Sequence, residues 1–264
     1  MERNISIPKP LKTILITLFW LGIWEVISLM IGNQLLFPSP VEVTKKLVSL
    51  VITISFWETT LFSLSRVGFG IIIAIILGII MGIICSLSKI IYDIFSPFVT
   101  IIKSTPVASF IILFIVLIKN GNEITPIIIT ALMVFPIVFS NIYKGIDSLD
   151  KNLLEVCNVY KIPFNKKLSI LYIPSIMPYF SSALLSSIGL GWKAGIAAEV
   201  LSTPKTSIGI ELFNGKQYLE YVDVFAWTVT VIIISLIFEL LITKLFKILL
   251  KKYLKSIGGA NDSK

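Results

Sequence analysis

The sequence contains no histidine, only two cysteines and few charged residues. Without histidine, the chain cannot form a histidine-based metal site or a Ser-His-Asp triad, and it lacks the usual proton shuttle. Cys85 and Cys157 lie far apart and have no metal-ligand spacing, so no structural disulfide is expected. Only 14% of the 264 residues are charged and 56% are hydrophobic, so the chain cannot supply the surface of a soluble domain.

Long apolar segments dominate the chain and predict an all-α, polytopic membrane protein with one domain. The predicted spans are residues 13–31, 67–88, 97–118, 124–143, 176–201 and 224–243, near the roughly 20 residues that a spanning helix needs. Residues 41–57 predict a partly amphipathic helix outside the bilayer. Within the second span, Gly70, Gly78 and Gly82 would allow close helix packing. These spans exclude a typical soluble enzyme.

The positive charges predict how the spans are oriented. Six spans put both termini on one side, together with the loop 147–174 between spans four and five. Fifteen of the 23 lysine and arginine residues then lie on that side and five on the other, while Arg66, Lys103 and Lys193 lie at or within spans. The positive-inside rule therefore places the termini and this loop in the cytoplasm. The net charge of +8 is explained by membrane topology and not by nucleic-acid binding.

The loop 147–174 is the longest polar interruption near the middle of the chain. Asp150 can cap a helix whose apolar residues Leu153, Leu154, Cys157 and Tyr160 recur at three- and four-residue spacing. Pro163 would stop that helix and suits the first turn of another. We therefore expect two short helices with a sharp bend between them, at a membrane surface where another protein can bind.

The same loop resembles the EAA loop of bacterial ATP-binding-cassette (ABC) importer permeases, which reads EAA, three residues, G, nine residues and I-x-L-P. Glu155 and Pro174 match at a separation of 19 residues. Val156 and Cys157 stand at the two alanines, Leu171 at the isoleucine and Ile173 at the leucine of the closing Leu-Pro. Lys161 replaces the glycine, so we expect residues 161–163 to make the bend in another way.

The resemblance extends over most of the chain and narrows to permeases for nitrate, sulfonate, taurine and thiamine-precursor uptake. It is carried by the segments FPSPVEV, SLSRVGFG, KSTPVA, FPIVFSNIYKG and LGWKAGIAAEVL. Residues at the expected spacing are Arg66, Val67, Gly70, Pro106, Phe135, Pro136, Asn141, Gly145, Trp192, Ala198 and Glu199. Five collinear partial matches are far more specific than the loop alone.

This resemblance implies a type I ABC importer permease fold and a multi-pass protein of the bacterial inner membrane. Two permease copies, usually identical, would bind two ABC ATPase subunits through the coupling loop. A solute-binding protein or lipoprotein would deliver a small solute from the opposite face. The chain has no G-x-x-x-x-G-K-[ST] motif, so ATP and Mg²⁺ are expected on the ATPase and no cofactor on this chain.

The resemblance also assigns two sets of site residues. The expected ATPase interface comprises Leu154, Glu155, Val156, Cys157, Tyr160, Lys161 and Pro174. The expected translocation pathway comprises Lys103, Pro106, Trp192, Lys193 and Glu199. Several alternatives stay open: Glu155 as a solvated surface charge, the two lysines reaching a headgroup layer, and Glu199 at the membrane interface. Pro106 and Pro136 either shape a cavity or are merely tolerated in their spans.

Two other functional classes fit the sequence less well. A membrane enzyme would need polar residues clustered around one cavity, whereas the predicted spans carry isolated charges. A channel or ion-coupled carrier would need no cytoplasmic docking helix and would usually show intramembrane acids or a repeated half. Recovery of a bound ATPase distinguishes an importer permease from both.

Overall fold

The computed structural model describes residues 9–33, 36–118 and 121–258, and these residues form helices and connecting turns. The first six helices are α1 (Lys9–Ile31), α2 (Pro40–Val51), α3 (Ile54–Leu87), α4 (Lys89–Ser104), α5 (Val107–Leu117) and α6 (Thr125–Asp147). They are followed by α7 (Lys151–Val159), α8 (Phe164–Lys167), α9 (Ile173–Ser202), α10 (Ile208–Gln217) and α11 (Tyr221–Gly258). A π-helical turn, Leu168–Tyr172, joins α8 to α9.

Five helical segments are long and apolar enough to cross a membrane, and the number is six if the bent pair α4 and α5 counts as one span. The predicted all-α, polytopic fold is therefore confirmed. That the whole chain forms one domain stays a prediction.

The predicted third span, 97–118, is wrong as one straight helix. Helices α4 and α5 meet at 102°, and Thr105 between them is extended, with ψ of 133°. The cause is Pro106, which cannot donate a backbone hydrogen bond and disfavours a helical conformation in the residue before it. Pro106 stands at the N-cap of α5. The proline therefore breaks this span instead of being tolerated within it.

Two further boundaries differ from the prediction. Helix α2 ends at Val51 and not at Trp57, because the Thr53 hydroxyl accepts a hydrogen bond from the Phe56 amide at 3.3 Å and so caps α3. Residues 164–202 form one continuous helical segment. The second short helix expected in the loop is therefore the beginning of the fifth span.

Helices α3 and α6 run parallel and pack closely through glycines of α3. A Cβ atom added at Gly70 would lie 2.7 Å from the Thr130 Cβ, and one at Gly78 would lie 2.8 Å from the Val138 Cβ. The same added atom at Gly82 would also meet α6, 2.8 Å from the Ile142 Cγ2. Real Cβ atoms do not approach so closely, so α3 can lie at this distance only because these positions lack side chains.

Helix α9 runs antiparallel to α6 and packs against both α6 and α3. A Cβ at Gly191 would lie 2.8 Å from the Val134 Cγ2, and one at Gly145 would lie 3.2 Å from the Ile176 Cα. Helices α3, α6 and α9 thus form the packed centre of the chain. We call the end of this packed centre that carries residues 148–172 the loop end. The opposite end carries the α5–α6 turn and the α9–α10 connection, and we call it the network end after the hydrogen-bonded network of side chains there.

Candidate functional site

At the loop end, α7 is capped as the sequence predicts and is supported by its own small core. The Asp150 carboxylate accepts a hydrogen bond from the Asn152 amide at 2.8 Å. Leu154 and Cys157 face inward and pack with Leu149 and Leu171, and Cys157 is only 7% exposed. Leu154 is half-buried and Cys157 is buried, so these two side chains support the surface, and their part in the ATPase interface stays a prediction.

Lys161 makes the bend after α7 in a backbone conformation that glycine adopts most readily. Its φ is +49°, in the left-handed region. The Lys161 amide donates to the Asn158 carbonyl and the Ile162 amide to the Cys157 carbonyl, each at 3.0 Å, which is the hydrogen-bond pattern of a Schellman motif. Ile162 also packs near Cys157. A strained lysine therefore makes the bend at the position where the EAA loop carries glycine.

The outer side of this loop presents a carboxylate among uncovered apolar side chains. Glu155 is exposed, Val156 is 49% exposed and Tyr160 is 76% exposed, and Leu153 and Phe164 are similarly open. We call these five residues the loop surface. Pro174, in the first turn of α9, is only half-buried. Several exposed apolar side chains on and beside a short, capped helix are typical of a protein interface.

At the network end, a buried ion pair joins α3 to α9. Glu199 is 0% exposed, and the Arg66 guanidinium donates to its Oε1 at 3.3 Å. The Ser63 hydroxyl donates to its Oε2 at 2.7 Å, and the Gly209 amide to the same oxygen at 3.3 Å. A Cβ at Gly209 would lie 2.3 Å from the Glu199 Cβ, so only glycine allows this approach.

The same arginine ties two further connections into this network. Arg66 forms an ion pair with Glu123 in the α5–α6 turn and donates to the Thr206 carbonyl at 2.7 Å. Glu123 in turn accepts from the Lys205 amide at 3.0 Å. The Ile208 amide donates to the Ser63 hydroxyl at 2.8 Å. These bonds hold four elements together at one end of the chain.

This network changes the interpretation of two predicted pathway residues. Glu199 is fully enclosed, so in this conformation it neither reaches a headgroup layer nor lines an open cavity. Trp192 is also buried, and its indole N–H donates to the Val231 carbonyl of α11 at 3.1 Å. Sequence reasoning did not identify Arg66 as the partner of Glu199. The signal that could have identified this pair lies in the predicted topology, because Arg66 and Glu199 stand at the same end of their predicted spans.

The other predicted pathway residues lie on exposed parts of the helices. The Lys103 Nζ donates to the Ser140 hydroxyl of α6 at 2.7 Å. Lys193 is exposed on α9 and has no partner among the described residues. Among those residues, no group of three or more Cys, Asp or Glu side chains could hold a metal ion. The structure therefore places the two lysines on surfaces and does not bring them together with Glu199.

Outside the spans, Glu211 in α10 is the acidic group with a perturbed environment. Burial raises the pKa of this carboxyl above its usual value, and repulsion from the Asp223 carboxylate raises it further. Asp223 also forms an ion pair with Lys46 of α2 at 2.8 Å. These contacts connect α2, α10 and α11 beside the network.

The sequence from residue 70 to residue 255 matches the family described as binding-protein-dependent transport system inner membrane component. The chain belongs to this family. It is 23% identical to SsuC of Bacillus subtilis, named for aliphatic sulfonates transport, over 91% of this chain and 87% of that one. It is 26% identical to the nitrate import permease NrtB of Synechococcus elongatus, over 75% of this chain and 73% of that protein.

A third relative is the taurine transport system permease TauC of Escherichia coli, 22% identical over 91% of this chain and 87% of that protein. The matches to SsuC, NrtB and TauC make the chain an ABC importer permease of the nitrate, sulfonate and taurine type. It is a transport permease of the multi-pass, inner-membrane class, and the fold is that of type I ABC permeases. The resemblance inferred from the sequence is thus confirmed.

Proposed function

We propose that the chain is the membrane-spanning subunit of an ATP-driven importer that passes a small solute from an extracytoplasmic binding protein to the cytoplasm. The family supports the binding-protein dependence. The relatives' names support solutes such as nitrate, sulfonates, taurine or bicarbonate. The sequence resemblance also includes permeases for a thiamine-precursor-like compound. We propose an inner-membrane location with both termini in the cytoplasm, because that orientation satisfies the positive-inside rule.

The loop surface is the proposed docking site for the ATPase, and its exposure is the observation that carries this proposal. Glu155 lies among uncovered apolar side chains, whereas Leu154 and Cys157 support the surface from behind. An exposed apolar patch next to a charge suits a partner groove that buries the apolar groups and pairs the carboxylate. If Glu155 were only a solvated surface charge, the exposure of the large Tyr160 side chain on the same loop would have no explanation.

The position of the loop supports a mechanical role in transport. It connects α6 to α9, and both helices are packed into the centre of the chain. A displacement of α7 by an ATPase would therefore move two packed helices and not a loose segment. In the proposed complex, two permease copies each bind one ATPase, which carries ATP and Mg²⁺. Closure of the ATPases would bring the coupling loops together and change the cavity from outward-open to inward-open.

Charge reversal at the loop surface tests this function. We expect Glu155→Lys to abolish coupled uptake and to reduce the ATPase recovered with the tagged permease, because a lysine would face a site that pairs a carboxylate. The measurements are solute uptake in cells and the amount of ATPase that co-purifies in mild detergent. Thermal unfolding of the purified chain should be unchanged, because the Glu155 side chain is exposed.

Glu220→Lys is the matched control, because Glu220 is an exposed glutamate at the opposite end of the chain. It makes the same change in charge and should leave ATPase recovery at the wild-type level. Unchanged uptake and unchanged ATPase recovery in Glu155→Lys would show that the loop surface does not dock the ATPase.

A further inference from the structure

Helix α11 continues well beyond its apolar span, and the part that follows the span is basic. The span predicted from the sequence ends at residue 243, and Lys244 and Lys247 come directly after it, both exposed. The helix continues to Gly258. Residues 244–258 contain five lysines and no aspartate or glutamate. Lysines at the end of a span reach the layer in which phospholipid headgroups lie.

This basic part of α11 lies at the loop end, beside α9. The Phe246 ring packs against the Phe180 ring of α9, and the two ring centroids are 5.7 Å apart. Phe180 is close to the beginning of α9 at Ile173, which directly follows the loop 148–172. Lys244 and Lys247 are therefore on the same side of the membrane as the loop surface.

Neither lysine is paired with an acidic side chain of its own helix or of α9. In the part of the chain that the structure describes, neither forms a hydrogen bond or an ion pair. Glu239 comes five residues before Lys244, which is about 140° round the helix, and it is about 12 Å along the axis from Lys247. The acid of α9, Glu199, is at the network end.

The other acids at the loop end belong to α4, to the end of α6 and to the loop that follows: Asp93, Asp147, Asp150 and Glu155. Helix α11 packs mainly against α2, α9 and α10 and not against these elements. The charge beside Lys244 and Lys247 is therefore positive, and the folded chain supplies no counter-charge in contact with them.

An open groove of about 660 Å³ runs along α11 beside the two lysines. Its lining includes both lysines and the apolar side chains of Ile237, Leu240 and Leu241, which are 50–68% exposed. With Lys244, these apolar residues recur at three- and four-residue spacing and so share one face of the helix. The groove thus combines apolar surface within the span with positive charge where the span ends.

An anionic phospholipid has the complementary arrangement, with acyl chains that lead to a phosphate group. Ammonium groups donate charge-assisted hydrogen bonds to phosphate oxygens, and basic clusters next to a span attract anionic lipids. A second copy of the chain suits this face less well. A two-fold interface centred on it would bring the same lysines together, and like charges repel.

We propose that Lys244, Lys247 and the groove beside them form a binding site for an anionic phospholipid. Its phosphate lies between the two ammonium groups, and one acyl chain lies along Ile237, Leu240 and Leu241. The lipid supplies the counter-charge that the chain lacks here and covers apolar side chains that the folded chain leaves open. Its assignment to the cytoplasmic leaflet rests on the proposed orientation of the chain.

Native mass spectrometry of the complex tests this site. The full chain, with the subunits that co-purify, is titrated in a neutral detergent with dioleoyl-phosphatidylglycerol. Dioleoyl-phosphatidylcholine, which has the same acyl chains and no net charge, is the control lipid. Glycerol phosphate, which has a phosphate and no acyl chain, is the control competitor. The measured quantity is the affinity for the first lipid bound.

We expect phosphatidylglycerol to bind more tightly than phosphatidylcholine. A lysine near an anionic surface contributes about fivefold to binding, so Lys244→Gln/Lys247→Gln should weaken phosphatidylglycerol binding about 25-fold. Binding of phosphatidylcholine and the unfolding temperature without added lipid should not change, because both side chains are exposed. The charge-conserving variant Lys244→Arg/Lys247→Arg should retain the affinity.

Lys89→Gln/Lys144→Gln is the matched control, because it removes two exposed lysines at the same end of the chain. It should leave the first phosphatidylglycerol bound as in the wild type. Equal weakening in both double variants would show that the net charge attracts the lipid and that no site exists. Unchanged binding in Lys244→Gln/Lys247→Gln would also overturn the proposal.

Two further outcomes would assign the lysines to another ligand. If glycerol phosphate competes as well as the lipid, the lysines bind a free anion and the groove has no part. If Lys244→Gln/Lys247→Gln loses the ATPase and keeps the lipid, the lysines contact the ATPase instead. The proposed function fails on a different result, which is a wild-type chain recovered without an ATPase.

Discussion

The loop end and the network end of the helix bundle differ in which groups they bury and which they expose. At the network end, Arg66 and Glu199 are buried together, and hydrogen bonds from neighbouring elements complete their surroundings. At the loop end, apolar side chains such as Val156 and Tyr160 are exposed around a free carboxylate. The network end pairs its own buried charges, whereas the loop end leaves groups that a partner would satisfy. Stability should therefore depend on the network end and assembly on the loop end.

The largest effect on stability should come from removing the shared cation of the network. Arg66→Ala leaves the Glu199 carboxylate buried without its counter-charge, which should cost about 3–5 kcal/mol of folding free energy. The loss should appear as a lower unfolding temperature of the purified chain in detergent. The double variant Arg66→Ala/Glu199→Gln should recover much of it, because no uncompensated charge then remains.

An Arg66→Ala chain as stable as the wild type would contradict the description of this end as a structural ion pair. It would instead favour a conformation in which Glu199 reaches water and belongs to the pathway.

A smaller effect, of opposite sign, is expected at the loop end. Lys161→Gly should stabilise the chain by about 0.5–1 kcal/mol, because glycine relieves the left-handed strain while adding some entropy to the unfolded chain. Lys166→Gly is the matched control, since Lys166 is an exposed lysine in α8, and it should destabilise the chain. Thermal unfolding of both variants measures the difference. A destabilised Lys161→Gly chain would mean that the Lys161 side chain makes a contact that outweighs the strain.

The smallest effect concerns Glu211 beside the network end. Because the folded pKa of this carboxyl lies above its unfolded value, its contribution to stability is complete below the unfolded pKa. The contribution is lost as the pH rises through the folded pKa. Wild type should therefore lose stability relative to Glu211→Gln as the pH rises from about 4, near the unfolded pKa of glutamate. Unfolding temperatures across this pH range measure the difference.

Glu220→Gln, a change at an exposed glutamate, serves as the control for that comparison. If the difference between wild type and Glu211→Gln stays constant with pH, the environment of Glu211 does not perturb its titration.

At the loop end, the residue types predicted the cap of α7 but not the backbone conformation of the bend that follows it. Asp150 was expected to cap α7 because a short acidic side chain can accept an amide hydrogen bond, and it does. The left-handed conformation of Lys161 was not predicted, because lysine carries no signal for it. The hydrogen bonds of the Schellman motif hold Lys161 there, and their effect is not visible in the residue type.

Contacts between distant parts of the chain explain the other differences. The sequence predicted a costly charge at Glu199, but Arg66 lies 133 residues away, so spacing along one helix could not reveal the pair. Pro106 was expected either to bend its span or to be tolerated, and only the structure gives the angle of 102°. Apolar content, by contrast, acts along whole segments and therefore predicted the membrane fold well.

The most direct test of the central claim is a purification of the tagged chain from its native cells in mild detergent, with every bound protein identified by mass spectrometry. The account predicts recovery of an ABC ATPase together with a solute-binding protein, and loss of the ATPase from the Glu155→Lys chain. A well-folded chain recovered without an ATPase in several mild detergents would contradict the account and remove the docking role of the loop surface.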